Sequence, residues 1–232
     1  MISVESKFKI VKRGFKDIMI LVPGWATDYR IFNTLDLNYN YLLPIDLNPF
    51  DFKDRLSEFL KASSIDHVSL FGWSQGGFIA SGFASDNPGK IDELILSSIR
   101  KRYDKKFLED IGFKVKKNKR AFLYKFYLDC FSPGDNPCLD WFKENLLKQY
   151  LDDMSVECLI EGLEYLSNAE MNHESLSGVR KIRIFHGAED RIAPLEEALE
   201  IKSSLAHAEF ICMNGTGHLL FLNPDFKERI NG

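Results

Sequence analysis

Apolar and polar positions along the 232-residue chain follow two alternating patterns. Short, nearly continuous apolar runs predict strands buried on both faces of a parallel sheet. Between them, longer stretches carry apolar residues every three or four positions and predict helices. The alternation is typical of an α/β fold with a mostly parallel central sheet flanked by helices. The predicted strands are Lys7–Val11, Ile18–Val22, Tyr41–Ile45, His67–Phe71, Glu93–Ser97, Ile182–Phe185 and Glu209–Met213, and the predicted helices between them include Phe52–Ala62, Gln75–Ser85 and Leu195–Leu205.

The segment 100–178 departs from this alternation. It contains helical patterns at Ala121–Cys130, Leu139–Tyr150 and Val156–Leu166, but no run that predicts a strand. An insertion of this kind between two strand–helix units predicts a helical cap over the sheet. We therefore expect a core domain made of residues 1–99 and 179–232 and a cap made of residues 100–178.

Composition limits the function classes. The chain has 30 Lys and Arg against 34 Asp and Glu, and 45% of its residues are apolar. The net charge of −4 argues against a nucleic-acid-binding protein, and the apolar fraction argues against a disordered chain. No apolar run is long enough to span a membrane, and the first residues lack a secretory signal pattern. Together with four widely spaced cysteines, which suggest reduced thiols and no zinc site, this predicts a cytoplasmic protein.

The strongest local motif is Gly72-Trp73-Ser74-Gln75-Gly76-Gly77, which directly follows an apolar run. It matches G-x-S-x-G in the strand–turn–helix context where a serine is exposed above the sheet as a nucleophile. The glycines fit because the sharp turn leaves little room for side chains. The N-terminus of the following helix also favours negative charge beside the serine. The alternative is a glycine-rich turn with an inert serine.

A nucleophilic serine needs a base and an orienting carboxylate. His218, in Gly215-Thr216-Gly217-His218, follows the last predicted strand and is the candidate base. Asp190 follows the strand Ile182–Phe185 and is the candidate carboxylate. Glu189 is the alternative acid, since one residue of register decides which side chain turns inward. His186 is expected to be a hydrogen-bonded structural histidine.

Acyl transfer also needs hydrogen-bond donors for the oxyanion. Gly24 permits close approach of the backbone after an early strand, so we expect the backbone N–H groups of Trp25 and Gln75 to be the donors. The side chains of Trp25 and Trp73 are expected to line the acyl site. From the cap, the aromatic residues expected to line the same site are Phe107, Phe122, Phe126, Phe131 and Trp141.

With the serine, acid and histidine motifs in this order, the chain resembles the α/β-hydrolase superfamily over nearly its whole length. The pairing of Pro23-Gly24-Trp25 with Gly-Trp-Ser-x-Gly-Gly is similar to the biotin-pathway esterases, which hydrolyse the methyl ester of pimeloyl attached to acyl carrier protein. Two departures stand out: the common His-Gly is Pro23-Gly24 here, and the D-x-x-G-x-G-x-S stretch is reduced to 46–50. The resemblance implies a serine carboxylesterase with a Ser-His-Asp triad and no metal or cofactor.

The start of the cap is strongly basic. Residues 100–120 contain ten Lys and Arg against three Asp and Glu, a net charge of +7, so the remainder of the chain carries −11. A basic rim beside the active site would steer an acidic acyl carrier protein. A solvated charge run without a partner is the alternative. The residues expected to contact the carrier, called the cap patch below, are Arg100, Arg102, Lys116, Lys117, Lys119 and Arg120.

Two other functions remain open at this point. A broad small-ester carboxylesterase or a thioesterase would use the same triad, because pocket shape rather than the triad selects the acyl and leaving groups. A catalytically silent binding protein would keep the fold and lose the reactivity.

Overall fold

The computed structural model describes residues 7–231, which form a seven-stranded sheet flanked by helices. The spatial order of the strands is β1-β3-β2-β4-β5-β6-β7. β1 pairs with β3 antiparallel, and every other pair is parallel. The predicted fold class and all seven predicted strands are confirmed. The strands are β1 (Phe8–Val11), β2 (Ile18–Val22), β3 (Asn40–Pro44), β4 (Val68–Trp73), β5 (Ile91–Ser97), β6 (Ile182–Gly187) and β7 (Glu209–Met213).

Eight α-helices accompany the sheet in the part of the chain described. The central strand β4 is buried at every position, as the continuous apolar run Val68–Phe71 predicts for an interior parallel strand. The helix that follows it is also buried along most of its length. The helices are α1 (Phe52–Ala62), α2 (Gln75–Asp86), α3 (Lys105–Asp129), α4 (Asn136–Phe142), α5 (Lys148–Asp153), α6 (Val156–Asn168), α7 (Leu195–Ser204) and α8 (Pro224–Asn231).

The parallel direction of β2, β4, β6 and β7 brings their carboxyl ends to one edge of the sheet. Ligands of open α/β sheets bind at this edge. The loops that leave these strands contain Trp25, Ser74, Asp190 and His218, in that order. The sheet topology alone therefore brings the four candidate site loops to the same edge of the sheet.

The segment between β5 and β6 is helical apart from one isolated bridge, Arg102 with Glu170. Its first helix, α3, begins at Lys105, well before the helical pattern identified at Ala121–Cys130. The charged residues mask a sparse apolar face there, formed by Leu108, Gly112 and Val115. The backbone of Asn118 leaves helical geometry, with φ −158° and ψ 83°, which divides α3 into two arms. The division into a core domain and a cap stays a prediction, and the word cap is used below as the name of residues 100–178.

Within residues 7–231, no helix is both long and apolar enough to cross a membrane.

Candidate active site

Ser74 occupies the turn between β4 and α2 with φ 54° and ψ −118°, a left-handed conformation that is costly for a non-glycine residue. The turn is held by a hydrogen bond from Ser74 N to Ser97 O at 2.9 Å and by one from Gly77 N to Ser74 O at 2.8 Å. A Cβ on Gly76 would lie 2.1 Å from Val22 O, and one on Gly72 would lie 2.5 Å from Gly76 O. These glycines therefore let the strained turn form close to β2.

His218 and Asp190 form a buried pair at the neighbouring strand ends. His218 Nδ1 lies 2.8 Å from Asp190 Oδ2, and both side chains are almost fully buried. A proton on Nδ1 is donated to the carboxylate, which leaves Nε2 as the basic nitrogen. Glu189, the alternative acid, is exposed to solvent. No hydrogen bond between Ser74 Oγ and His218 occurs among the described residues; such bonds often tighten only when substrate is bound.

The carboxylate of Asp190 is satisfied on both oxygens. Oδ1 accepts hydrogen bonds from Ile192 N at 2.8 Å and Ala193 N at 2.9 Å, while Oδ2 faces His218. Burial acts to raise the pKa of Asp190, but the charge and hydrogen bond of His218 outweigh it and leave the pKa below its ordinary value. Asp190 is therefore ionised at neutral pH, in the form that stabilises a protonated imidazole.

A second histidine lies beside the same carboxylate. His186 is fully buried, its Nε2 is 2.9 Å from Ala193 O, and the same nitrogen is 3.7 Å from Asp190 Oδ2. Burial lowers the pKa of His186 below its ordinary value, although Asp190 acts to raise it. A neutral His186 that donates to Ala193 O braces the turn after Asp190, which agrees with the structural role expected for it.

The backbone around His218 is fixed from both sides. His218 O accepts hydrogen bonds from Trp73 Nε1 and Ser98 Oγ, each at 2.8 Å, and His218 N donates to Cys130 O at the end of α3. The buried carboxylate of Asp135 accepts from Gly217 N at 2.7 Å. The histidine loop is thus positioned jointly by the strand that precedes Ser74 and by the segment that follows α3.

Gly24 brings the loop after β2 against the Ser74 turn. A Cβ at Gly24 would lie 2.9 Å from the Trp73 ring and 3.2 Å from Ser74 Cβ. Trp25 follows directly, and Gln75 is the first residue of α2. Trp25 and Gln75 thus belong to the two loops that meet at Ser74. The assignment of their backbone N–H groups as oxyanion donors stays a prediction.

The side chains of these two residues are tied to the cap. Trp25 Nε1 donates to Leu159 O at 2.9 Å, and Gln75 Nε2 donates to Gly162 O at 2.8 Å. Both acceptors are backbone carbonyls of α6. A Cβ at Gly162 would lie only 2.6 Å from Trp25 Cδ1, so glycine is needed for this close approach. Helix α6 therefore contacts both residues whose amides are the candidate oxyanion donors.

A cavity of about 410 Å³ opens at Ser74 between the core and the cap. Its apolar wall includes Trp25, whose ring meets that of Phe126 edge-on at 5.1 Å. Of the aromatic residues expected to line the acyl site, Trp25, Phe107, Phe122 and Phe126 line this cavity. The full lining is Trp25, Ser74, Tyr103, Phe107, Leu108, Ile111, Lys114, Phe122, Lys125, Phe126, Asp129, Leu163, Leu166, Arg191 and Ile192.

Three expected lining residues lie elsewhere. Trp73 is buried behind His218, with ring centroids 5.4 Å apart, because its indole is needed to hold the histidine backbone. Phe131 packs against Phe142 in the interior of the cap. Trp141 lines a different cavity, together with Phe221 and Lys227. An aromatic residue on a helix gives no sequence signal of the face it will occupy.

The cap patch is smaller than the sequence suggests. Arg100 pairs with Glu197 at 2.6 Å, Arg120 pairs with Asp152, and Lys119 Nζ donates to Met154 O at 2.7 Å. Three of the six residues expected to contact the carrier are therefore engaged by other residues of the chain. Arg102, Lys116 and Lys117 are exposed and have no ion-pair partner within the described chain.

Tyr103 is a site residue that sequence reasoning missed. It lines the cavity next to Ser74, and the Arg100 guanidinium lies 4.4 Å from the centre of its ring. Burial raises the pKa of Tyr103 to about 12, although the charge of Arg100 opposes this shift. The phenol is therefore protonated at neutral pH. In the sequence, Tyr103 follows an Arg-Lys-Arg run and belongs to no motif that marks it as a site residue.

Comparison with known proteins places this geometry in a family. The chain is 25% identical, over 92% of its length and 88% of the relative, to the AB hydrolase superfamily protein YisY of Bacillus subtilis (strain 168). Among solved structures, it is similar to the esterase EaEST of Exiguobacterium antarcticum, with a TM-score of 0.80, 18% identity and coverage of 97% and 92% of the two chains. It is equally similar to a bromoperoxidase of Bacillus anthracis, with a TM-score of 0.82, 16% identity and coverage of 96% and 92%.

These structural likenesses concern the fold, which accommodates more than one chemistry. The family model described as the alpha/beta hydrolase fold matches residues 23–225, which include the serine turn and both of its partner loops. The family predicted from the order of the serine, acid and histidine motifs is thereby confirmed: this chain belongs to the alpha/beta hydrolase fold family.

Proposed function

We propose that the protein is a serine carboxylesterase in which Ser74 is the nucleophile, His218 the general base and Asp190 the orienting carboxylate. The observation that carries the proposal is the 2.8 Å contact between His218 Nδ1 and Asp190 Oδ2 at the strand edge where the strained Ser74 turn lines an apolar cavity. An ionised carboxylate, a histidine with a free Nε2 and an accessible serine are the parts that acyl transfer needs.

The reaction has two halves. Ser74 Oγ attacks the ester carbonyl carbon while His218 Nε2 takes its proton, and the oxyanion is bound by the backbone N–H groups of Trp25 and Gln75. The tetrahedral intermediate expels the alcohol, which receives the proton from His218. A water molecule, activated by His218, then attacks the acyl-enzyme and releases the acid together with free Ser74.

The finer proposal concerns the substrate: the methyl ester of pimeloyl attached to acyl carrier protein, in biotin synthesis. Two features support it. The pairing of Pro23-Gly24-Trp25 with the Gly72–Gly77 motif is similar to the esterases of that pathway. Exposed Arg102, Lys116 and Lys117 also provide positive charge near the cavity for an acidic carrier.

An assay on matched substrates tests both the proposed esterase activity and the proposed carrier-linked substrate. Methyl pimeloyl–carrier protein, free methyl pimelate, a neutral methyl ester and the corresponding thioester are compared at low and high salt. We expect ester hydrolysis, with the carrier-linked ester preferred at low salt. A Lys116→Glu/Lys117→Glu variant should lose that preference, whereas Lys61→Glu, an exposed charge reversal on α1, should retain it.

The outcomes separate the alternatives. Equal use of free and carrier-linked esters without salt dependence contradicts the carrier-protein part. Faster thioester cleavage assigns the triad to a thioesterase. No turnover together with no labelling of Ser74 by a fluorophosphonate probe indicates a silent binding protein.

A further inference from the structure

The cavity wall carries a charge asymmetry that the triad does not use. Lys125 of α3 and Arg191 of the loop after β6 both line the cavity that contains Ser74. Neither forms an ion pair within the described part of the chain. Lys114, the third cation of the wall, pairs with Asp110 at 2.5 Å, and Asp129 is the only acidic residue among the described residues of the lining. The cavity lining therefore carries an excess of positive charge, with Lys125 and Arg191 outside any ion pair among the described residues.

Lys125 and Arg191 are exposed and stand beside the apolar wall of the cavity. Phe126 lies next to Lys125 in sequence, and its ring stacks with that of Phe122 on the same wall at a centroid separation of 6.4 Å. Because both cations are exposed, each is expected to attract the anionic end of a substrate only with the modest strength of a surface ion pair. The two cations also come from different parts of the molecule, Lys125 from the cap and Arg191 from the core.

We propose that Lys125 and Arg191 select esters that carry an anionic group, a carboxylate or a phosphate monoester, at a distance from the ester bond. This inference rests on the proposed esterase function and names the substrate class of that site. The apolar part of the substrate lies along Phe122 and Phe126, and the anionic end reaches the two cations.

The test measures kcat/KM for methyl half-esters of linear dicarboxylic acids of increasing length. Each half-ester is compared with the neutral dimethyl ester of the same acid and with a methyl ester that ends in phosphate. The wild-type enzyme is expected to prefer the anionic over the neutral ester by about fivefold or more at one optimal length. The phosphate series shows which anion the two cations accept better.

Three variants locate the preference. Lys125→Ala and Arg191→Ala should each lower the ratio of anionic to neutral kcat/KM about two- to fivefold, the range expected for one partly exposed ion pair. High salt should lower the wild-type ratio in the same direction. Lys106→Ala, an exposed lysine of α3 outside the cavity lining, should leave the ratio unchanged. Because the ratio is internal to each enzyme, damage to neighbouring Asp190 in the Arg191 variant cancels.

Different results would contradict the inference about Lys125 and Arg191 and the proposed esterase function. If the wild-type enzyme hydrolyses neutral esters but shows no preference for any anionic ester, the inference is wrong while the proposed esterase function stands. If the preference exists but neither the Lys125 nor the Arg191 variant changes it, the assignment to these residues is wrong. If no ester is hydrolysed, the proposed function itself fails.

Discussion

The two sides of the candidate site are built in different ways. On the core side, Ser74, Asp190 and His218 follow the ends of parallel strands, and each lies in a short glycine-containing motif that can be read in the sequence. On the cap side, three contacts to the site loops end on the backbone carbonyls of Leu159, Gly162 and Cys130, and a fourth ends on the carboxylate of Asp135. The core supplies the side chains that do chemistry, and the cap supplies acceptors that fix their surroundings.

This difference explains what substitution should do on each side. Removing a triad side chain of the core removes a participant in the reaction, while a change at these cap contacts displaces one. We therefore expect losses of several orders of magnitude in the core and of one or two in the cap.

The largest effect is expected for the nucleophile and its base. Ser74→Ala and His218→Ala should each lower ester turnover by about 10⁴- to 10⁶-fold, as for other triads that act as a unit. Steady-state kinetics with a neutral methyl ester measures this, and circular dichroism shows that the variants are folded. Residual activity within tenfold of the wild type would refute the role of either residue.

The second-largest loss of activity is expected for the orienting carboxylate, Asp190. Asp190→Asn should reduce kcat about 10³- to 10⁴-fold, because the amide no longer favours the histidine tautomer with a free Nε2. Glu189→Gln is the matched control: its carboxylate is exposed and makes no contact with His218, so activity should be unchanged. The reverse order of effects would assign the orienting role to Glu189.

On the cap side, Gly162→Ala is the sharpest probe. The new Cβ would lie 2.6 Å from Trp25 Cδ1 and 3.3 Å from Gln75 Nε2, so α6 must move away from both candidate oxyanion residues. We expect kcat to fall about 10- to 100-fold with a smaller change in KM. Gly112→Ala in α3 is the control, since its Cβ would meet Ile160 only at an ordinary 3.5 Å. Equal kinetics for both variants would show that α6 does not position the oxyanion donors.

The smallest effect concerns pH and stability. The pKa of His186 is lower in the folded protein than its ordinary value of about 6.5, so the unfolded chain binds the proton more readily. The free energy of unfolding should therefore fall as the pH drops below about 6.5, by at most about 1.4 kcal/mol per pH unit from this group. Urea unfolding at several pH values should show that the free energy of unfolding of His186→Gln falls less steeply with decreasing pH than that of the wild type. A decline as steep as that of the exposed-site control His67→Gln would contradict a buried neutral His186.

The core was predictable because local chemistry and topology agree there. The apolar run Val68–Phe71 predicts a buried parallel strand, and the glycines after it predict the strained turn at Ser74; both features are present in the structure. The sequence favours Asp190 as the acid but leaves Glu189 open as the alternative. A single residue of register separates them, and the turn that directs Asp190 inward depends on the amides of Ile192 and Ala193.

The cap was less predictable for physical reasons. Backbone carbonyls occur at every residue, so no sequence signal marks Leu159 or Gly162 as an acceptor for the core. The first arm of α3 was hidden because its lysines outnumber the buried Leu108 and Val115. Arg100 reads as a surface charge in the sequence, but Glu197, nearly a hundred residues later, pairs with it in the fold.

The most direct test of the central claim, that Ser74 is an activated nucleophile, is labelling with a fluorophosphonate followed by peptide mass spectrometry. We predict one adduct per chain, on the peptide that contains Ser74, and none in Ser74→Ala. An unlabelled wild-type protein, or an adduct that persists in Ser74→Ala, would contradict the account.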